Sequence, residues 1–218
     1  MGSYEESMDR TDIEREYFAK GYTAVAGVDE VGRGPLAGPV VCAAVILPVE
    51  EEKQIEGIND SKKLSAKKRE RLAQRIREVA LAYCIVEVDE GTIDEINILQ
   101  ATRLGMKRAV EGLSISPDMV LTDGNMTLDV AFEQKSIVKG DALVCSIGAA
   151  SILAKTYRDA LMAEYAKKYP QYGFERNAGY GTAEHIRAIR ENGLCEIHRK
   201  TFAQKFSGNA ESNLPVHT

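Results

Sequence analysis

The stretch from Thr23 to Glu30 joins two features that seldom meet, an apolar run suited to a buried strand and two adjacent carboxylates, Asp29 and Glu30, at its end. Desolvating a pair of neighbouring acids is costly, because burial and mutual repulsion both oppose their ionised forms. Whatever fold the chain adopts must therefore bring this strand end to a place where something offsets that cost. The pattern recurs twice. Met119-Val120-Leu121-Thr122 leads into Asp123 and then Gly124-Asn125, and Ile137-Val138-Lys139-Gly140 leads into Asp141. Three separate stretches thus set acids where a strand meets a loop.

Around these points the periodicity gives a coarse order of elements. Residues 5–20 read as a short helix with Met8, Ile13, Tyr17 and Phe18 as apolar contacts. Strands are expected at Thr23–Val28, Val40–Leu47, Tyr83–Val88, Met119–Asp123 and Lys135–Val138, with a Gly/Pro-rich turn from Gly32 to Pro39 between the first two. Ser65 caps a helix reaching about Ala82, in which Leu72, Ile76, Val79 and Ala80 recur at helical spacing. Further helices are expected over Ile98–Leu113, Ala142–Lys168 and Thr182–Asn192, with a loop at Pro170–Gly181. The alternation predicts an α/β fold, a mixed sheet covered by helices. Gly32-Arg33-Gly34 lacks the G-x-G-x-x-G spacing and precedes a strand, so it is no dinucleotide-binding turn.

The 218 residues, 44% of them hydrophobic, suffice for one sizeable core, so a single domain over 1–218 is expected, with a helical part at about 165–206 and a loose tail at 207–218. No apolar run is long enough to span a bilayer, and the early acids Glu5, Glu6, Asp9 and Glu14 do not suit a signal peptide. A cytoplasmic protein without a membrane partner is the expectation. Cys42, Cys84, Cys145 and Cys195 form no CxxC pair and read as reduced thiols rather than a zinc site. The net charge of −5 argues against nucleic-acid binding on average. The average conceals a basic run, Lys62, Lys63, Lys67, Lys68, Arg69, Arg71, Arg75 and Arg77, that can form a local basic face. A monomer is the default, and no clamp-binding motif is identified.

Hard divalent cations take oxygen ligands, and two of them about 4 Å apart can drive in-line phosphodiester displacement. Taken one at a time, however, Asp123-Gly124-Asn125 reads as a turn and Asp141 as a helix cap. Only Asp29-Glu30 resists such a reading by itself.

The run Ala26-Gly27-Val28-Asp29-Glu30-Val31-Gly32-Arg33-Gly34-Pro35-Leu36-Ala37-Gly38-Pro39 closely resembles the signature of bacterial ribonuclease HII. So do Asn59-Asp60-Ser61-Lys62-Lys63-Leu64-Ser65, Asp94-Glu95-Ile96-Asn97-Ile98, Asp123-Gly124-Asn125, Lys139-Gly140-Asp141, the helix Ser146 to Asp159, Tyr172-Gly173-Phe174, Gly179-Tyr180-Gly181-Thr182 and His198-Arg199. The similarity runs in order over about residues 20–206. Departures are small: Gly148 where Ala is usual, Thr156-Tyr157 where Val is common, and Lys200 where Arg is common. The resemblance implies a ribonuclease H-like mixed five-stranded sheet flanked by helices, with a small C-terminal helical region. It implies Asp29, Glu30, Asp123 and Asp141 as catalytic and metal-binding acids for two divalent ions, Mg²⁺ or Mn²⁺. The implied partners are RNA/DNA hybrids and DNA containing ribonucleotides, cut 5′ of the embedded ribonucleotide to leave a 3′-hydroxyl and a 5′-phosphate.

For substrate contacts the resemblance points to the backbone of Gly32, Arg33 and Gly34 reading a 2′-hydroxyl, and to Tyr180 packing on the following deoxyribose. Ser61, Lys62 and Lys63 suit phosphate contacts, whereas Lys67 and Arg71 suit a solvated helix face. Lys155 can reach a phosphate or pair with an acid of the site. His185, His198 and His217 are too dispersed for a metal cluster, and the roles of His198 and Arg199 stay open. Two other classes compete: a phosphate-handling α/β metabolic enzyme using one metal, and a non-catalytic nucleic-acid-binding module. The first leaves the basic loop and Tyr180 unused, and the second predicts a broken acid set.

Overall fold

Seven consecutive apolar residues, Val40–Ile46, form a strand with every side chain buried. Val40, Cys42, Ala44 and Ile46 join one hydrophobic cluster, and Val41, Ala43 and Val45 another. Successive strand residues point to opposite faces, so a strand without a polar side must be covered on both. That is the arrangement in the computed structural model, which describes residues 12–48, 55, 57–58 and 64–208. Strands β1 (Val25–Val31), β2 (Val40–Ile46), β3 (Ala82–Val88), β4 (Met119–Asp123) and β5 (Glu133–Ile137) form one sheet in the order β3-β2-β1-β4-β5. The pairs β1–β2 and β2–β3 are antiparallel, and β1–β4 and β4–β5 are parallel. This is the expected mixed five-stranded sheet.

Helix α1 (Asp12–Ala19) packs Tyr17 against Val25, Met119 and Leu121. Helix α2 (Ala66–Val79) starts at Ser65, whose hydroxyl accepts from the Lys68 amide, and buries Leu72, Ala73 and Ile76. It shares one sheet face with α5 (Cys145–Lys168), while α3 (Glu90–Glu111) covers the other. Gly27 lets α5 sit directly on β1: a Cβ there would lie 2.2 Å from the Ile147 amide nitrogen. Beyond α5 come a 3-10 turn (Pro170–Tyr172) and helices α6 (Phe174–Asn177), α7 (Ala183–Asn192) and α8 (Lys200–Ala203), around a separate cluster that includes Leu36, Tyr172, Phe174 and Ile189.

Three expectations are corrected. The helix expected from Ile98 begins at Glu90, where the Asp89 carboxylate accepts from the Thr92 amide; Asn97 (φ 66°, ψ 163°) then breaks and recaps it, its Oδ1 accepting from the Leu99 and Gln100 amides. The segment Ala142–Lys168 is two helices, α4 (Gly140–Leu143) and α5, separated by the extended Val144. The loop Pro170–Gly181 contains the 3-10 turn and α6. The tail beyond residue 208, and residues 5–11 of the expected first helix, lie outside the described residues.

Candidate active site

The parallel register of β1 and β4 pairs Val28 with Thr122, so the next residues, Asp29 and Asp123, emerge side by side although 94 positions separate them in the chain. Asp141 arrives from the first turn of α4, and its backbone N–H donates to Asp123 Oδ1 at 3.4 Å. With Glu30 they line one cleft, together with Val31, Ser151, Lys155 and Tyr180. The sequence separates the four acids into three stretches, and the sheet gathers them.

The gathering is electrostatically costly. Asp29 is 5% exposed and accepts from the Glu30 amide at 2.7 Å and from the Ser151 hydroxyl. Burial pushes its carboxyl well above the usual range, the charges of Glu30 and Asp123 add to that, and the two hydrogen bonds only partly oppose it. Glu30 is raised by burial too, against the pull of the Arg33 guanidinium, 3.3 Å from Glu30 Oε1. Among the described residues no three His, Cys, Asp or Glu side chains stand close enough to enclose a single ion. The acids line the cleft rather than form a closed cage.

Lys155 faces the cleft, but it is paired with Asp159 at 2.5 Å, one turn along α5, and not with any of the four acids. Asp159 in turn holds Arg69 of α2 at 3.0 Å. The expected alternative that Lys155 pairs with an acid of the site is therefore set aside, and its ammonium stays at the cleft wall. Ser151 was not singled out from the sequence. The available signal was its spacing of four from Lys155, which puts both on one helix face.

The rim comes from the turn after β1. Gly32 has φ +90°, and a Cβ there would lie 2.3 Å from Arg158 Nε, so only glycine fits. Arg33 and Gly34 are exposed, and the space above Gly34 meets the Tyr180 ring, 3.6 Å from where a Cβ would stand. Tyr180 is 45% exposed. Ser61, Lys62 and Lys63 lie outside the described residues. His185 and His198, dispersed in sequence, meet in space with their Nε2 atoms 3.0 Å apart. All four cysteines are free thiols. No helix among the described residues is long and apolar enough to cross a membrane.

The sheet order, with acids gathered beside its central strands, places the molecule in the ribonuclease H-like class: it is similar to ribonuclease H2 from Pyrococcus horikoshii OT3, with a TM-score of 0.70 and 28% identity, covering 84% of this chain and 97% of that one. The ribonuclease HII family profile matches residues 26–205. Ribonuclease HII of Enterococcus faecalis is 54% identical over 195 residues, 89% of this chain and 75% of that protein. Ribonuclease HII of Chlorobium chlorochromatii is 56% identical over 185 residues, 83% and 90% of the two chains. The chain belongs to the ribonuclease HII family and is a ribonuclease H.

Proposed function

We propose that this RNA/DNA-hybrid endonuclease also incises duplex DNA on the 5′ side of embedded ribonucleotides, with Asp29, Glu30, Asp123 and Asp141 as its catalytic acids. The carrying observation is the convergence of these four carboxylates on one cleft. The donor set fits hard divalent ions: it is all oxygen, and burial and crowding raise the pKa values of Asp29 and Glu30, a shift that a bound cation would reverse. Those four residues would hold two ions, Mg²⁺ or Mn²⁺. Such ions, when bound, supply positive charge at the scissile phosphate for the attacking water and the leaving oxygen.

The remaining residues place the substrate. The Ser151 hydroxyl orients Asp29, and Lys155 presents its ammonium to a phosphate from the cleft wall. The amides of Arg33 and Gly34, on two exposed residues, are set to bond a 2′-hydroxyl, the group that distinguishes RNA from DNA. The Tyr180 ring offers a flat face to the neighbouring deoxyribose. The cleft volume of about 220 Å³ falls below the ~300–1,000 Å³ of pockets that enclose small ligands. A polymer laid across the mouth suits it better than an enclosed metabolite, which disfavours the metabolic alternative. We read the chain as one catalytic domain acting as a monomer in the cytoplasm.

The test uses duplex DNA carrying one embedded ribonucleotide, with Mg²⁺ or Mn²⁺ added. A single cut on its 5′ side, leaving a 3′-hydroxyl and a 5′-phosphate, is expected. Cleavage of uniform RNA/DNA hybrid without any cut in this duplex would overturn the junction reading.

A further inference from the structure

His198 and Arg199, adjacent in sequence, each reach a different part of the rim. The Arg199 side chain is fully buried. Its Nη2 donates to the carbonyls of Gly32 (2.5 Å) and Gly38 (2.7 Å), its Nη1 to that of Arg33 (2.9 Å), and its Nε to that of Gly38 (2.9 Å). Its backbone amide bonds the Leu36 carbonyl. Burying a guanidinium among neutral acceptors is expensive, and burial pulls its pKa down to about 10, still charged at neutral pH. Packing alone would be met by an apolar side chain, so the charge has a directional task. No peptide bond here is cis. In a trans peptide the carbonyl and the following N–H point opposite ways. Drawing the carbonyls of Gly32 and Arg33 inward onto Arg199 therefore turns the amides of Arg33 and Gly34 outward, on two exposed residues.

His198 reaches the Tyr180 turn through His185. The Cys195 amide can only donate, so His198 Nδ1, 2.9 Å away, accepts and a neutral His198 carries its proton on Nε2. That proton faces His185 Nε2 at 3.0 Å, which leaves the His185 proton on Nδ1, donated to the Tyr180 carbonyl at 2.9 Å. One pair of tautomers satisfies the whole chain. A second buried guanidinium joins the same parts: Arg158 donates to the carbonyls of Pro39, Ala37 and Ala178. The Leu36 amide bonds the Gly179 carbonyl directly.

We propose that His198 and Arg199 are positioning residues that fix the Gly32–Gly34 turn and the Tyr180 turn relative to each other, and so set the preference for a ribonucleotide–deoxyribonucleotide step. The specificity half of this rests on the reading above that both turns contact the sugar; the positioning half does not. Arg199→Lys keeps the charge but loses the fork, and His198→Gln breaks the imidazole chain. Two measurements are made on the full chain. Hydrogen exchange at the bonded amides of Leu36, Gly38 and 178–180 is expected to rise about tenfold or more, with β1 and β2 unchanged. The kcat/KM preference for a single embedded ribonucleotide over uniform hybrid is expected to fall about 10- to 100-fold, mainly through kcat, as misplacement near 1 Å does. Should Arg199→Lys not fold, His185→Gln tests the same link from the other side. Folded variants with unchanged exchange overturn the positioning. Raised exchange with unchanged preference overturns the specificity half, and a wild type that never cuts at the ribonucleotide overturns that half through the reading beneath it while exchange still tests the positioning.

Discussion

The floor and the rim of the cleft are two concentrations of like charge that solve the same problem in opposite ways. On the floor, Asp29, Glu30, Asp123 and Asp141 crowd together, with Arg33 the cation seen to pair with one of them among the described residues. Behind the rim, Arg158 and Arg199 are fully buried with no ion pair within 4 Å among the described residues, yet seven guanidinium hydrogen bonds to backbone carbonyls satisfy them. A buried charge that is fully hydrogen-bonded builds structure, whereas carboxylates pushed up by burial and by one another mark a functional site. Burial and mutual repulsion oppose the ionised forms of Asp29 and Glu30 on the floor, while backbone carbonyls receive the rim's cations.

Removing charge from each side should separate the two. Asp29→Asn is expected to cut hybrid cleavage by about 10²–10³-fold or more, while urea unfolding shows a stability equal to or above wild type, because a repelled carboxylate is gone. A large loss of stability would show that the floor is structural too. Arg158→Leu is expected to do the reverse in kind: three carbonyls, two of them buried, lose their donors, and unfolding should show a loss of about 3 kcal/mol or more. An unchanged midpoint would break the contrast.

The smallest effect concerns acid. Burial, helped by the adjacent His185, lowers the His198 pKa from 6.5 to about 4. The unfolded chain then binds more protons than the folded one between those values. Stability from this pair is whole above pH 6.5 and is lost as pH falls toward 4. His198→Gln should flatten that part of the urea-unfolding profile, and a profile unchanged by the substitution would mean that the imidazole pair carries no such linkage.

Much of the floor was legible because its logic is local. Met119–Asp123 was bounded correctly from apolar residues ending in an acid, Ser65 and Thr182 act as helix caps, and the unbroken apolarity of Val40–Ile46 already called for a sheet covered on both faces. The break at Val144 and the kink at Asn97 were not legible, since good helix formers surround the one and the other depends on a side chain capping its own backbone. The sequence left the partner of Lys155 open for a similar reason: which of several groups a flexible ammonium meets depends on where helices end up, and in the structure it lines the cleft while pairing with Asp159, four residues on.

The sequence by itself determined which residues had to be carboxylates at strand ends, and which segments had to be strands, because hydrophobic periodicity and desolvation cost act on neighbours along the chain. Only the tertiary structure decided that Asp29 stands beside Asp123, through the β1–β4 register, and that a dipeptide near the C-terminus holds a turn more than 160 residues earlier. Hydrogen bonds between backbone carbonyls and a distant arginine leave no periodic trace in a sequence, since every residue offers the same carbonyl.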